Sequence, residues 1–128
     1  MRLLLDTHSF LWFIAGSNKI SMAARGLIED RANDPLLSMA SLWEMAIKVS
    51  IGKLRLAEPF ERLIPEQMNM NGVGLLNIQM DHVSRVVQLP FHHRDPFDRL
   101  LIAQAQIEDI PIVGADRTFD AYAVNRMW

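Results

Sequence analysis

The stretch Arg2-Leu3-Leu4-Leu5-Asp6-Thr7 begins the sequence with a short apolar run that ends at an acid. A strand buried on both faces, as the strands of a parallel sheet are, is apolar at every position rather than at every second one. Three further runs of this kind follow, at Leu36–Met39, Leu75–Ile78 and Ile112–Val113. Helical segments separate the runs, and this alternation predicts an α/β fold, a three-layer α/β/α sandwich with a central parallel sheet.

Apolar residues between the strands recur at the spacing that is typical of helices. The predicted helices are Thr7–Ala15, Ser21–Ala32, Ser41–Ser50, Pro59–Met70, Asp81–Leu89, Pro96–Glu108 and Thr118–Val124. Pro96 suits the first turn of its helix, and Gly16 suits the end of the first helix. The tail, Asn125–Trp128, is predicted to add a strand at the sheet edge. No repeat or linker divides these elements, so we expect a single domain over residues 1–128.

The composition excludes several classes of protein. The chain has 128 residues, of which 50% are hydrophobic, enough for one domain with a sizeable core. The absence of cysteine excludes disulfides and thiolate zinc sites and permits a reducing compartment, and we expect a cytoplasmic protein. No apolar run approaches the roughly eighteen residues of a membrane span, so no membrane association is expected. The formal net charge of -2 is not that of a strong nucleic-acid binder, so any such contact would depend on local cations.

Four acids follow the ends of the predicted strands. Asp6 ends the first run, and Glu44 lies in the first turn of the helix after the second. Asp98 opens the long helix beyond the third run, and Asp116 follows the last. Because the carboxyl ends of parallel strands meet at one edge of a sheet, we expect these side chains to gather there. Crowded carboxylates take up protons unless a cation is present, and Mg²⁺ and Mn²⁺ prefer oxygen ligands. Such a site suits phosphodiester hydrolysis.

Each acid, taken singly, also has a purely structural interpretation. Ser41 and Glu44 match a capping box, and Glu44 is spaced to pair with Lys48. Asp95 and Asp116 match helix caps. These interpretations leave unexplained why every acid falls on the same edge of the predicted sheet.

The segments that contain the acids resemble a known family. Residues 4–8, Leu4-Leu5-Asp6-Thr7-His8, are similar to the opening strand of PIN-domain nucleases. Residues 38–48, followed by Gly52-Lys53-Leu54, resemble the second acidic segment of the VapC-type toxin branch of that family. Residues 95–103 and 112–116 resemble the third and fourth segments. Four segments in order are a far more specific match than any one of them.

The resemblance runs from residue 2 to about residue 122 and implies a PIN-like α/β/α sandwich. It implies an Mg²⁺- or Mn²⁺-dependent endoribonuclease that acts as the toxin of a type II toxin–antitoxin pair. The partners it implies are an RNA substrate, a cognate antitoxin protein and a second copy of the chain in a homodimer.

The acids that match the family quartet are the expected catalytic metal ligands: Asp6, Glu44, Asp98 and Asp116. Asp6 and Asp98 are expected to be the principal ligands, and Glu44 to help deprotonate the attacking water. Asp116 completes the anionic shell, although Gly114 stands two residues before it where relatives often carry a threonine.

Other residues near the quartet are expected to support it. The hydroxyls of Thr7 and Ser41 match positions that could hold the carboxylates in place, and Asp95 is a helix cap that could do the same. Arg99 and Arg117 lie beside two of the acids in sequence and are candidates for contact with RNA phosphates.

Three other classes of protein are alternatives to this family, and each has features that the sequence can be compared with. A phosphoacceptor switch domain needs an aspartate at the end of its third strand, but here Ile78 is followed by Gln79. A nucleotide-binding module needs a glycine-rich phosphate loop, and the sequence has neither common form. A catalytically silent PIN-like module that binds RNA or protein stays open, because Gly114 departs from the family pattern.

The sequence also contains two adjacent histidines and several methionines on predicted helices. The adjacent His92 and His93 have no metal-ligand spacing and are interpreted as loop residues. Methionines on predicted helices are candidates for a surface that faces a homodimer partner or an antitoxin. They are Met22, Met45, Met68 and Met70.

Overall fold

The computed structural model describes residues 1–128 and contains one five-stranded sheet in which every neighbouring pair is parallel. The strands are β1 Arg2–Leu5, β2 Asp34–Ser38, β3 Gly74–Leu76, β4 Ile112–Val113 and β5 Arg126–Met127. Their order across the sheet is β3-β2-β1-β4-β5. The predicted parallel sheet is confirmed, and the predicted strand of the tail is present as β5.

Six α-helices and one 3₁₀ helix connect the strands. They are α1 Thr7–Ile14, α2 Met22–Glu29, α3 Met39–Ser50, α4 Phe60–Met70, α5 Met80–Gln88, α6 Pro96–Glu108 and the 3₁₀ helix Arg117–Ala121. Helix α6 has the predicted bounds, whereas the last predicted α-helix is the shorter 3₁₀ helix. None of the helices combines the length and the apolar composition needed to cross a lipid bilayer.

The leucines of β1 show how the layers form. Leu3 and Leu5 lie in a core cluster with residues of α1, α2 and α4, whereas Leu4 lies in a second cluster with residues of α6. Successive side chains of a strand point to opposite faces, so one strand contributes to both cores. Helix α3 also contributes to both, through Met45 and Ala40. Helices therefore cover both faces, and the predicted three-layer sandwich is confirmed.

The strand register brings the carboxyl ends of three strands together. Leu5 of β1 pairs with Leu37 of β2 and with Val113 of β4. From β1 the chain passes to β2 and β3 on one side, and then returns to β4 on the other side of β1. In open α/β sheets, ligands bind at the carboxyl edge where the direction of winding reverses. Asp6 and Gly114 follow the two strands that flank this point.

The start of α3 corrects one sequence-based prediction. Strand β2 continues directly into α3, and the hydroxyl of Ser38 accepts the backbone N–H of Ala40 at 3.0 Å. Ser38 therefore caps the helix, and the capping box predicted for Ser41 and Glu44 is wrong. Since the helix begins at Met39, Glu44 lies in its second turn and its carboxylate is free for other contacts.

Candidate active site

Asp6 stands at the end of β1 and caps helix α1. Its Oδ1 accepts the backbone N–H of Ser9 at 2.7 Å, and only 7% of the residue is exposed. Its Oδ2 faces Gly114, where an added Cβ atom would lie 2.8 Å from that oxygen. The glycine that departs from the family pattern thus leaves room for the Asp6 carboxylate.

Glu44 is buried on α3, and two groups hold its carboxylate. The hydroxyl of Thr7 donates to Oε1 at 2.7 Å, and the Nζ of Lys48 donates to Oε2 at 2.9 Å. The Thr7 hydroxyl also lies 2.9 Å from the Ser41 hydroxyl. Because Thr7 has one hydroxyl proton and Glu44 accepts it, Ser41 is the donor of this second bond. Both predicted supporting hydroxyls therefore belong to the hydrogen-bond chain that ends on Glu44.

Asp98 lies in the first turn of α6, which Asp95 caps. The Oδ1 of Asp95 accepts the backbone N–H groups of Phe97 at 2.8 Å and of Asp98 at 3.2 Å. Burial and the nearby charge of Asp95 raise the pKa of Asp98 to about 7 from its ordinary value of 3.8. The charges of Glu44 and Asp6 also raise this pKa, which indicates that both carboxylates lie close enough to act on Asp98.

Asp116 caps the 3₁₀ helix, and a histidine ring lies between its carboxylate and that of Asp98. Its Oδ1 accepts the backbone N–H of Thr118 at 2.9 Å. The Nε2 of His93 lies 3.1 Å from Asp116 Oδ2 and 3.1 Å from Asp98 Oδ2. Burial raises the pKa of Asp116, but hydrogen bonds from Thr118 and His93 outweigh it and hold the pKa below its ordinary value. One polar atom from each of His93, Asp98 and Asp116 falls within 4.8 Å of the other two.

His93 is the functional candidate that the sequence interpretation missed. The residue does lie in a loop, as predicted, but its ring reaches between two of the expected ligands. Asp116 is 23 residues further along the chain, so no local spacing connects the two. Only the position of His93 just before the third acidic segment hinted at its place in the site.

The two candidate arginines have different environments. Arg99 is buried, and its guanidinium donates to the backbone carbonyls of Val86, Leu89, Pro90 and His93. It is not available to a phosphate, so the prediction of an RNA contact is wrong for Arg99, and its role is to hold the loop after α5. Arg117 is exposed beside Asp116. Its contact with RNA stays a prediction.

The charges at this edge of the sheet are not balanced by the chain itself. Burial, opposed in part by hydrogen bonds from Ser9, raises the pKa of Asp6, and the charge of Asp116 raises it further. Lys48 is the cation that pairs with one of the four carboxylates. Burial is the largest cause of the raised pKa of Asp6 and of Asp98, and the charges of neighbouring acids add to it. A hard divalent cation would stabilise the ionised form of such buried carboxylates. The donor set, made mostly of carboxylate oxygens, therefore fits Mg²⁺ or Mn²⁺.

The predicted partner surface needs a correction. Met45 is fully buried in the core between the sheet and α1, so its assignment to an exposed surface is wrong. Met68 also packs against that core. Met22 and Met70 are exposed, at 91% and 69%, and remain candidates for partner contact.

Comparison with known sequences identifies related proteins. The family model described as the PIN domain matches residues 3–125. "Ribonuclease VapC16" of Mycobacterium tuberculosis is 37% identical over 60 residues, which is 47% of this chain and 43% of that protein. The alignment therefore spans less than half the length of this curated relative.

Solved structures with the same fold include toxin–antitoxin complexes. VapBC2 of Rickettsia felis, bound to a DNA fragment of its promoter, gives a TM-score of 0.70 at 14% identity, with 99% of this chain and 98% of that chain covered. A toxin–antitoxin complex from Klebsiella pneumoniae gives 0.66 at 17% identity, covering 98% and 96%. FitAcB of Neisseria gonorrhoeae gives 0.65 at 15% identity, again covering 98% and 96%. At these identities the likeness establishes a common fold.

Proposed function

Because the chain belongs to the PIN-domain family, we propose that it is a divalent-metal-dependent endoribonuclease and the toxin of a type II toxin–antitoxin pair. The observation that carries the proposal is the position of the Asp98 carboxylate together with its raised pKa. Its carboxylate meets Asp116 across His93, and its pKa is raised to about 7 by burial and the charges of nearby acids. A buried carboxyl with a strongly raised pKa beside other acids is a common mark of a functional site.

The four acids would hold Mg²⁺ or Mn²⁺ at the carboxyl edge of the sheet: Asp6, Glu44, Asp98 and Asp116. The bound cation would supply a Lewis acid that polarises the RNA phosphodiester and favours ionisation of water. Glu44, which Thr7 and Lys48 hold in place, would accept a proton from the attacking water. Asp95 contributes indirectly, because it fixes the start of the helix that presents Asp98.

Contact with RNA would depend on local cations, since the formal net charge is -2. Arg117 is exposed next to Asp116 and is our candidate for a phosphate contact. A surface groove of about 590 Å³ adjoins Thr7 and Lys48, and Lys53 and Arg55 also line it. Lys48 contacts Glu44, and the basic side chains of the groove could attract the RNA backbone.

The proposed protein partners are a cognate antitoxin and a second copy of the chain, in the cytoplasm. On α5, Met80, Val83 and Val87 recur at helical spacing and are all exposed, which supports a protein interface. Sedimentation of the chain alone, and after co-expression with the protein encoded beside it, tests both partners. A monomer in both cases would contradict the proposal.

Nuclease activity is tested with the purified chain and a mixed RNA substrate. We expect cleavage with Mg²⁺ or Mn²⁺ and none after chelation with EDTA. Asp98→Asn should lose more than the roughly 100-fold that is typical when a residue supporting a metal ligand is removed. Asp81→Asn is the matched control, because Asp81 is an exposed acid of α5 and lies outside the acidic cluster.

The outcome separates two functions. If the parent and Asp98→Asn cleave equally, or if EDTA has no effect, the metal-dependent mechanism is wrong. If the parent binds RNA but never cleaves it, the chain is the silent PIN-like binding module. If the parent does cleave RNA, sequencing the RNA ends that it produces would identify which RNA class is cut and where.

A further inference from the structure

The loop between α5 and α6 delivers an imidazole to two of the proposed metal ligands. His93 Nε2 is 3.1 Å from Oδ2 of both Asp98 and Asp116, and these acids come from different elements. Among the hydrogen bonds and ion pairs of the structure, His93 Nε2 is the one atom placed against both carboxylates. The histidine is therefore the direct connection between the start of α6 and the loop after β4.

The backbone of this loop is held in place independently of the acids. The hydroxyl of Tyr122 accepts the His93 N–H at 2.7 Å and donates to the Pro90 carbonyl at 2.9 Å. The buried guanidinium of Arg99 donates to the Pro90 and His93 carbonyls at 2.9 and 3.4 Å. The imidazole also stacks on Phe119, with ring centroids 6.2 Å apart and planes inclined at 24°. The ring is thus positioned before any ligand binds.

The proton on the ring can be assigned from geometry. The backbone N–H of Asp95 lies 3.1 Å from Nδ1 of His93. A backbone N–H can only donate, so Nδ1 accepts and carries no proton. The ring proton is then on Nε2 and is donated to Asp116 Oδ2, while Asp98 Oδ2 lies at the same distance from Nε2 as an ion-pair contact. With its lone pair used by this proton, Nε2 acts as a hydrogen-bond donor and not as a metal ligand.

We propose that His93 is a positioning residue, which holds the carboxylate of Asp116 through its Nε2–H against that of Asp98 and so prepares both to bind the cation. This inference rests on the proposed function, which assigns the two acids as ligands. The donated proton occupies one lone pair on Asp116 Oδ2 and leaves the other lone pairs of both carboxylates for the metal. The buried Arg99 supports this role indirectly, because the loop that its guanidinium holds carries His93.

The test measures cation binding without RNA. Titration calorimetry with Mg²⁺ and with Mn²⁺ compares the parent, His93→Ala and His93→Gln. We expect His93→Ala to weaken the binding of both cations by the same factor, about 10–100-fold, which is the range for residues that support metal ligands. His93→Gln, whose amide N–H can reach the acids, should recover part of the loss. His92→Ala is the matched control, because His92 is exposed and its ring lies against Tyr122 rather than a carboxylate.

Nitrogen NMR of the histidine rings gives a second readout. We expect Nε2 of His93 to carry the proton both in the metal-free protein and with Mg²⁺ bound. Loss of that proton on binding, or a much larger loss of Mn²⁺ than of Mg²⁺ affinity in His93→Ala, would make His93 a ligand and overturn the proposal. A folded His93→Ala variant that binds Mg²⁺ as tightly as the parent would also overturn the role of His93, but it would leave the nuclease proposal intact. A parent that binds neither cation would overturn the metal-dependent nuclease, and the role of His93 with it.

Discussion

Gly114 and Asp6 approach so closely that no side chain fits between them: a Cβ atom at position 114 would lie 2.8 Å from Asp6 Oδ2 and 3.3 Å from Phe119 Cε2. The contact joins the ends of β1 and β4, which pair in the sheet. The Asp6 carboxylate therefore occupies space that any side chain at position 114 would need. This relationship makes the glycine a condition for the present position of Asp6.

Gly114→Ala should displace the Asp6 carboxylate and break its hydrogen bond to Ser9. The loss of this helix cap is expected to cost about 1 kcal/mol of stability, measured by urea unfolding, and RNA cleavage should fall. Gly26→Ala is the control, since Gly26 lies within α2 with no atom within 4 Å of its added Cβ. It should stabilise the chain by up to about 1 kcal/mol. Unchanged stability and cleavage in Gly114→Ala would show that Asp6 has another accessible position.

Lys48→Met should destabilise the metal-free protein because it leaves the buried Glu44 carboxylate with Thr7 as its remaining side-chain donor. An unpaired buried acceptor typically costs roughly 1–3 kcal/mol. Saturating Mg²⁺ should recover part of this loss if Glu44 helps to hold the cation. Urea unfolding with and without Mg²⁺ measures both effects. Lys53→Met removes an exposed lysine of the same groove and should leave stability unchanged.

The stability of the metal-free protein should fall as the pH rises through the titration of Asp98. Burial and the neighbouring acids raise the pKa of Asp98 to about 7 from 3.8, so the folded state holds a proton that the unfolded state releases. This contribution is present at low pH and is lost as the pH rises towards 7. Relative to Asp98→Asn, the parent should lose on the order of 2 kcal/mol between about pH 5 and about pH 8.

Mg²⁺ should reverse this pH dependence, because the cation competes with the proton for the same carboxylates. Thermal unfolding across the pH range, with EDTA and then with Mg²⁺, measures both trends. If the parent and Asp98→Asn show the same pH profile without metal, Asp98 does not have a raised pKa.

The two arginines beside the acids should give opposite results. Arg99→Lys removes a planar, multi-donor group from four buried or partly buried carbonyls, and we expect a loss of roughly 2–5 kcal/mol in stability. Arg117→Met should leave stability unchanged because Arg117 is exposed, but it should raise the KM for RNA and reduce its dependence on salt. Urea unfolding and cleavage at several salt concentrations compare the two. Unaltered cleavage in Arg117→Met would exclude the proposed phosphate contact.

Much of the fold could be predicted because its patterns are local. Pro96–Glu108 was delimited correctly by a cap at Asp95, a proline in the first turn and apolar residues at helical spacing. Strand β1 and strand β4 are recognisable because buried parallel strands are apolar at every position. The bounds of the other two predicted runs are wrong by one or two residues at each end, because β2 begins at the polar Asp34 and β3 ends at Leu76. The start of α3 was misassigned because β2 passes into it without a loop, which makes Ser38 rather than Ser41 the cap.

The candidate site could be predicted only as a set of acids at one sheet edge, since residues that follow parallel strands must share that edge. Tertiary structure alone decided the surroundings of individual side chains. Met45 is in the core, and Arg99 is used by backbone carbonyls. Each depends on contacts between chain segments that no local pattern encodes.

By itself, the sequence determined the alternation of strands and helices, the parallel sheet and the shared edge of its acids, because backbone propensity and apolar spacing act over a few residues. Only the folded chain decided that Asp6 fits against Gly114 and that His93 joins Asp98 to Asp116. Such contacts arise from strand order and close packing between distant segments, where tenths of an ångström decide which atoms can meet.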